Sequence, residues 1–573
     1  MSTDTPESPD SQASVLPRRE RAADRRARPS FHEIAVAAAE THGVCVRPLV
    51  MGTVNLDTGA TEHVAVPCKS TIESQCPTCA KKARLLRMAQ CREGWHLDLE
   101  PVQAPNQPTV EQTALLRSRA DLVAAYRAAE TEQDSEAVAE LRLAVGDIDN
   151  QLRESGMRGT LPSLHAPPKP ARTRSTKRRQ DAIDLPTRQV RHTTLGQQYA
   201  GKYRPSMFLT LTCQGYGPIR AGAPVDPNSY DYRRAARDSI HFAALVDRFV
   251  QNLRRVLGWE VQYFATVEPQ KRAAPHLHMA LRGAIPHAVV RQVAAATYHH
   301  VWWPSHDQLV YPDPNHQPHW DADRATFADP DTGIPLTTWD DAMQALDDNP
   351  DAAPAHVVRF GSQVHSKGIL GGSDEAGRHI GYLTKYLTKS ITEILEPDTA
   401  AQHAHHERLH AELSVTPCSA RCPIWLRYGI IPKGGTSKTI AGQCKSRVHR
   451  RTTLGLPGRR VLVSRKWSGK TLPDHKADRH EFVRQLLADA GIAPPTNNVR
   501  IYPIEPGTRT PPRHELIMRA IAQRLTWKTQ YNTALAALGP PGLLTESPER
   551  QPITVHRNRC YELAQFPEGG DAA

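Results

Sequence analysis

A chain of 573 residues has room for two to four domains, and 39% hydrophobic residues with a mean hydropathy of -0.52 suit a soluble protein with polar tails and linkers. It contains no apolar run of about 18 residues and no signal-peptide pattern, so a cytoplasmic protein without a membrane partner is expected. The formal charge of +12 and a pI near 9.2 suit a polyanionic partner, though an excess of arginine over lysine with abundant alanine and proline also marks a GC-rich coding sequence.

Residues 1–30 are rich in Ser, Pro, Asp and Arg and read as a disordered tail. Residues 31–100 carry the first cysteine cluster. Ten cysteines in an intracellular chain argue against a disulfide framework and for metal sites. Cys68, Cys76, Cys79 and Cys91, with a Cys76-Pro-Thr-Cys79 knuckle, are the expected ligands of one structural zinc. Within 101–190, Glu111 to Leu152 reads as a helical hairpin or arm, and Pro162 to Arg191 as a basic, proline-rich linker.

The segment 191–400 has the densest pattern. Met207 to Cys213 reads as a strand that ends near Gly215 and Gly217. His241 to Leu257 spaces Phe242, Leu245, Val246, Phe249, Leu253 and Val256 as one helical face, which Gly258 stops. Val261 to Pro269 is the next strand. A short turn leads to Ala274–Gly283, where His276 and His278 share one strand face while Leu277 points to the other. A hairpin brings Glu268 to the two imidazoles, making a mixed O/N site for a divalent cation, and Gln270 offers a substitute oxygen. Pro304 to Pro354 reads as a loop insertion, with His316 and His319 lacking ligand geometry. Arg378 to Ser390 predicts a helix whose core stripe is Ile380, Leu383, Leu387, Ile391 and Ile394. Tyr382 and Tyr386, and beside them Lys385 and Lys389, sit one turn apart on its flank.

In 401–480, Cys418, Cys422, Cys444 and His449 are the expected ligands of a second structural zinc. The same segment is strongly basic, with interspersed aromatics. Lys445, Arg447, Arg450, Arg451, Arg465, Lys466 and Trp467 are its expected DNA contacts, through phosphate binding and base stacking. Residues 481–573 hold a short helix near Glu481–Ala488 and a loosely ordered tail. Cys45, Cys213 and Cys560 stay unassigned. No GxxxxGK[ST] loop occurs, so no built-in helicase is expected.

Three of these pieces, Phe208-Leu-Thr-Leu-Thr212, Pro275-His-Leu-His278 and Tyr382-Leu-Thr-Lys-Tyr-Leu-Thr-Lys389, resemble the three motifs of HUH endonucleases in the order of rolling-circle replication initiators. The chain resembles the initiators of actinobacterial plasmids and integrative elements in particular. The doubled Tyr-x-x-Lys is also similar to that of two-tyrosine phage initiators, and Val463-Ser-Arg-Lys-Trp-Ser468 extends the likeness. The resemblance implies an α+β fold, an antiparallel sheet flanked by helices. It implies cleavage of one strand of origin DNA by a tyrosine, leaving a 5′-phosphotyrosine and a 3′-OH primer, with later rejoining. Mg²⁺ or Mn²⁺ at His276, His278 and Glu268 would bind the scissile phosphate, and Lys385 and Lys389 would favour phenolate or stabilise phosphate charge. Tyr386 fits the single-tyrosine pattern best and Tyr382 nearly as well. Host helicase and DNA polymerase are the implied partners. The rival readings are an HUH transposase or relaxase, whose tyrosine usually precedes the His pair, and a non-catalytic zinc-containing DNA-binding regulator.

Overall fold

The computed structural model describes residues 30–95, 109–157, 184–196, 205–371, 373–456, 460–492, 498–505 and 507–537, with short pieces at 97, 99–101, 161–164 and 182. The expected N-terminal tail, most of the basic linker, Cys560 and the extreme C-terminal tail lie outside the described residues.

The chain opens with α1 (Ser30–Thr41), β1 (Leu49–Asn55), β2 (Thr61–Val66) and α2 (Pro77–Trp95). A helical hairpin follows, α3 (Val110–Glu132) and α4 (Ser135–Glu154), where the sequence predicts one. Gln133 in the left-handed region closes α3 and the Asp134 side chain caps α4, which makes the tight turn. The central part runs β3 (Pro205–Cys213), α5 (Tyr232–Leu257), β4 (Tyr263–Pro269), β5 (Pro275–Leu281), α6 (His287–Ala296) and β6 (Tyr298–Val301). It continues through α7 (Trp339–Asp348), β7 (His356–Leu370) and α8 (Asp374–Lys385). The last elements are α9 (Ala400–Val415), β8 (Val461–Val463), α10 (Leu472–Asp489), β9 (Val499–Pro503) and α11 (Arg513–Ala537).

A six-stranded sheet in the order β8-β4-β5-β3-β7-β6, antiparallel at every pairing, forms the centre, so the fold is α+β as expected. The His strand β5 lies inside it, between β4 and β3. Alternation divides the sheet. Met207, Leu209, Leu211 and Cys213 of β3 face α5 and join Phe242, Leu245, Phe249 and Leu253 in the main core. Burial of each such side chain contributes roughly 1.5–3 kcal/mol. Asp231 caps the start of α5, and Gly258, at φ 72°, ends it in a conformation that favours glycine.

The opposite sheet face carries a second, smaller core. Phe208, Phe264 and Ala280 meet Ile369, Ala376, Ile380 and Leu383 beneath α8, and Cys91, Trp95 and Trp467 join them. Two sequence expectations are corrected here. Trp467 is fully buried, so its ring cannot stack on DNA bases. Its indole fills the slot left by Gly94, where a Cβ would stand 2.1 Å from Trp467 Cδ1. Cys91 is likewise fully buried in this core, away from the other N-terminal cysteines.

The tyrosine helix is shorter than its periodicity predicts. It ends at Lys385, a 3-10 turn spans Tyr386–Thr388, and a short helix restarts at Ile391–Ile394. Leu387, Ile391 and Ile394 therefore do not continue one stripe. Local side-chain bonds explain the break: the Thr384 hydroxyl donates back to Ile380 O at 2.9 Å, and Ser390 with Glu393 forms a capping box.

Two distant segments join. β9 pairs with β1, and Ile517 and Ile521 of α11 pack against Ala35 and Ala39 of α1, so residues 498–537 complete the N-terminal cysteine unit. The Pro304–Pro354 insertion has structure of its own, a His319–Asp321/Thr326–Ala328 ladder and α7. It packs onto the second cysteine unit through Trp339 and Trp425, whose rings lie 5.2 Å apart. Among the described residues no helix is long and apolar enough to cross a membrane.

Candidate active site and metal centres

Cross-strand register arranges the second sheet face in rows. Phe208, Ala280 and Phe264 form an apolar row under α8. The next row is His365, Thr210, His278 and Thr266, and the third is Thr212, His276 and Glu268. Cross-strand partners share a face, so the hairpin expected from sequence does set Glu268 beside His276.

The Thr210 hydroxyl lies 3.1 Å from His278 Nδ1, and the Tyr382 hydroxyl 3.2 Å from His278 Nε2. With Nδ1–H donating to Thr210, Nε2 presents its lone pair to the Tyr382 O–H. The Tyr382 and His278 rings meet edge-on at 4.8 Å, and Phe208 backs both. Tyr382 is 44% exposed, within reach of a substrate from solvent. Tyr386 begins the 3-10 turn, and its side chain lies outside the described residues.

Burial dominates the electrostatics. It pushes His278 down to about 3, with His276 adding to the effect, and His276 down to about 4, with help from Arg272 and His365. Burial pushes the Glu268 carboxyl up to about 7 against the opposing pull of Arg460 and Lys385. Glu268 Oε1 is buried with no hydrogen-bond partner among the described residues. Two neutral imidazoles and an unsatisfied carboxylate oxygen fit a divalent cation. These donors do not draw within 4.8 Å of one another as the cysteine groups below do.

Gln270 behaves differently from its expected role as an oxygen ligand. Arg272 Nε donates to Gln270 Oε1 at 2.8 Å, leaving the amide nitrogen to face His276 Nδ1 at 3.4 Å. An arginine N–H can only donate, which fixes the amide orientation. Lys385 and Lys389 are both exposed. Arg460, part of the basic run in 401–480, donates through Nη2 to Lys389 O at 2.6 Å, and its carbonyl accepts from Val267 N of β4 at 2.8 Å, which ties the tyrosine segment to β4.

Two groups of thiol and imidazole ligands converge within 4.8 Å and could hold a metal such as zinc. The second is the expected set, Cys418, Cys422, Cys444 and His449. Cys418 and Cys444 sulfurs are 3.9 Å apart, and Cys422 Sγ is 3.6 Å from His449 Nε2. His449 Nδ1 lies 2.8 Å from Leu413 O, an outer bond that aims Nε2 inward. The first group is Cys45, Cys68, Cys76 and Cys79, with Cys45 taking the position expected for Cys91. Cys45 and Cys76 sulfurs are 3.8 Å apart, the edge of about 3.8 Å that a zinc–sulfur bond near 2.3 Å gives a tetrahedron.

Of the expected DNA contacts, Lys445, Arg447, Arg450, Arg451 and Arg465 are exposed. Arg451 is paired with Glu407, and Lys466 is bonded to Glu260 at 2.7 Å.

Comparison with known proteins bears on the family of the chain. The family described as "Replication initiator protein, pSAM2" (RepSA) matches residues 31–523. A "Replication initiator protein" from Streptomyces ambofaciens is 26% identical over 223 residues, covering 32% of this chain and 42% of that relative. The match thus spans less than half of the relative's length. No solved structure matches.

Proposed function

The chain belongs to the pSAM2 family of replication initiators, and we propose that it nicks one strand of the origin of a plasmid or integrative element to start rolling-circle replication. The observation that carries this reading is the Tyr382 hydroxyl 3.2 Å from His278 Nε2, on the sheet face that also bears His276 and Glu268.

Tyr382 gives up its phenol proton, its Oη attacks the scissile phosphorus, the O–P bond forms, the bond from phosphorus to the 3′-oxygen breaks, and the departing oxygen takes up a proton. The products are a 5′-phosphotyrosine and a free 3′-OH that primes synthesis. Because the phosphodiester energy is kept in the tyrosine ester, a 3′-OH can later attack it and rejoin the strand without ATP. A phenol with a pKa of about 10 is a weak nucleophile at neutral pH. Without a cation His278 Nε2 accepts its hydrogen bond, with Nδ1–H donating to Thr210; the same Nε2 lone pair is the one His278 would offer a cation, so the two roles alternate. Lys385, whose charge reaches Glu268, and Lys389 favour the phenolate and the phosphate oxygens. His276, His278 and Glu268 would hold Mg²⁺ or Mn²⁺, which when bound polarises the phosphoryl group. Tyr386 is the second nucleophile candidate. The two cysteine groups hold structural zinc, and the exposed Lys445, Arg447, Arg450, Arg451 and Arg465 bind origin phosphates. Host helicase and DNA polymerase act on the opened 3′ end.

The test is the double variant His276→Ala/His278→Ala with end-labelled origin strands. Nicking should vanish while duplex binding stays near wild type. A variant that still nicks with added Mg²⁺ or Mn²⁺ would remove the metal site from the account.

A further inference from the structure

We infer that Arg234 and Arg272 form a subsite for a backbone phosphate of the DNA strand, beside the proposed nick site and on the side away from Tyr382. The inference rests on the nicking site proposed above and adds a substrate contact to it.

The polar sheet face, with His278, Thr212 and Glu268 buried, sets an axis for the site. Its rows run from Phe208 through Thr210 and His278 to Thr212 and His276, and successive rows are about 6.7 Å apart. Tyr382 overhangs one end, edge-on to Phe208 and His278. Past the other end, β3 runs into Gln214, Gly215 and Tyr216, and the β4–β5 turn carries Gln270 and Arg272. Two guanidinium groups meet there over one buried ring. Arg234 Cζ lies 5.6 Å and Arg272 Cζ 5.5 Å from the centroid of Tyr216. Gln214 Oε1 accepts from Arg234, and Gln270 Oε1 accepts from Arg272 Nε at 2.8 Å. Arg272 Nη2 also reaches Cys213 O at 3.5 Å. Both forks are thus oriented by neutral acceptors.

Asp238 is one nearby carboxylate, 4.0 Å from Arg234 Nε, and it is buried and shared with His356 at 2.7 Å. Asp231 is the other, its Oδ1 accepting from Arg234 N at 2.9 Å, so both carboxylates beside the pair are already engaged, one by the α5 backbone and one by His356. The surface above is open. Gln214 and Gly215 are exposed, and a Cβ built on Gly215 meets nothing within 4 Å. Planar guanidinium forks fixed by stacking match the oxygens of a phosphodiester. In-line displacement sets the attacking and leaving oxygens on opposite sides of phosphorus, so with Tyr382 at one end the strand over the arginines is the fragment that leaves with the 3′-OH. The bound phosphate is then the one on the 5′ side of that leaving nucleotide.

The test is binding of the full-length protein, with Mg²⁺, to fluorescent single-stranded origin oligonucleotides carrying one neutral methylphosphonate linkage, moved along the strand. For wild type, neutralising the phosphate one nucleotide 5′ of the nick should weaken binding about tenfold, and in Arg234→Gln/Arg272→Gln it should change nothing. The double variant should also shallow the plot of log affinity against log salt by about 0.7 for each phosphate no longer neutralised. Arg272→Lys, which keeps the charge and loses the fork, should fall between. Arg324→Gln, an exposed insertion residue 3.8 Å from Asp321, should behave as wild type. The inference is overturned if the double variant keeps full sensitivity at that linkage, or if wild type is indifferent at every linkage. Because the readout is binding, a wild-type protein that binds in this pattern without cleaving counts against the nicking chemistry alone. One that nicks without the pattern counts against the arginine subsite alone.

Discussion

Replacing Cys45 and Cys91 with serine, one at a time, separates two ligand sets for the N-terminal metal group. Cys45 Sγ lies 3.8 Å from Cys76 Sγ, a tetrahedral edge for zinc. Cys91 is carried twelve residues beyond Cys79 along α2, about 18 Å at the helical rise. It cannot reach the same ion without unwinding α2. Cys45→Ser should lower bound zinc from the two ions that the two groups can hold to one. Structural zinc supplies about 10–16 kcal/mol in small peptides, as much as the roughly 5–15 kcal/mol stability of a whole domain. The unit built from α1, β1, β2, β9 and α11 should therefore lose its cooperative unfolding transition. Cys91→Ser should keep both ions and cost about 1–3 kcal/mol for the buried hydroxyl. Metal content by plasma mass spectrometry, with calorimetry on the same samples, reads both effects. Full zinc in Cys45→Ser, or one ion lost in Cys91→Ser, would refute the reasoning.

Trp467→Ala should destabilise the protein by about 3–5 kcal/mol in urea melts, because the indole is fully buried, donates to Gln90 O at 3.2 Å and lies under Arg282. A loss below about 1 kcal/mol would return Trp467 to the surface as a DNA-stacking residue. His299 and His306 are both pushed from 6.5 to about 4 by burial. The unfolded chain binds protons that the folded one refuses, so this contribution is full above about pH 6.5 and is lost as pH falls towards 4, by about 3 kcal/mol for each imidazole. Urea melts at about pH 7 and about pH 5 should differ less in His299→Gln than in wild type, and an equal difference would dismiss the burial argument.

Local patterns carried much of this fold. The α5 stripe, the His strand, its hairpin with Glu268 and the Cys418–His449 set are legible because each depends on short spacing or strict periodicity. What stayed hidden depends on where distant segments meet. Cys45 and Cys91 are equivalent as letters, and only the path of α2 decides between them. Trp467 sits among basic residues and reads as a surface aromatic, but the slot at Gly94, far upstream, buries it. Gln270 offers an oxygen by type, yet Arg272 claims it. The helix break before Tyr386 reflects Thr384 and Ser390 side-chain bonds that the apolar stripe masks. The pairing of β9 with β1 has no local signal.

The most direct test of the central claim is a denaturing gel for a covalent protein–DNA adduct. Full-length protein with Mn²⁺ or Mg²⁺ would be incubated with labelled single strands from the DNA upstream of its own gene, comparing wild type, Tyr382→Phe, Tyr386→Phe and the double variant. The account predicts an adduct in wild type that weakens in Tyr382→Phe and vanishes in the double variant. An adduct that survives in the double variant, or tight binding with no adduct on any strand, would contradict it.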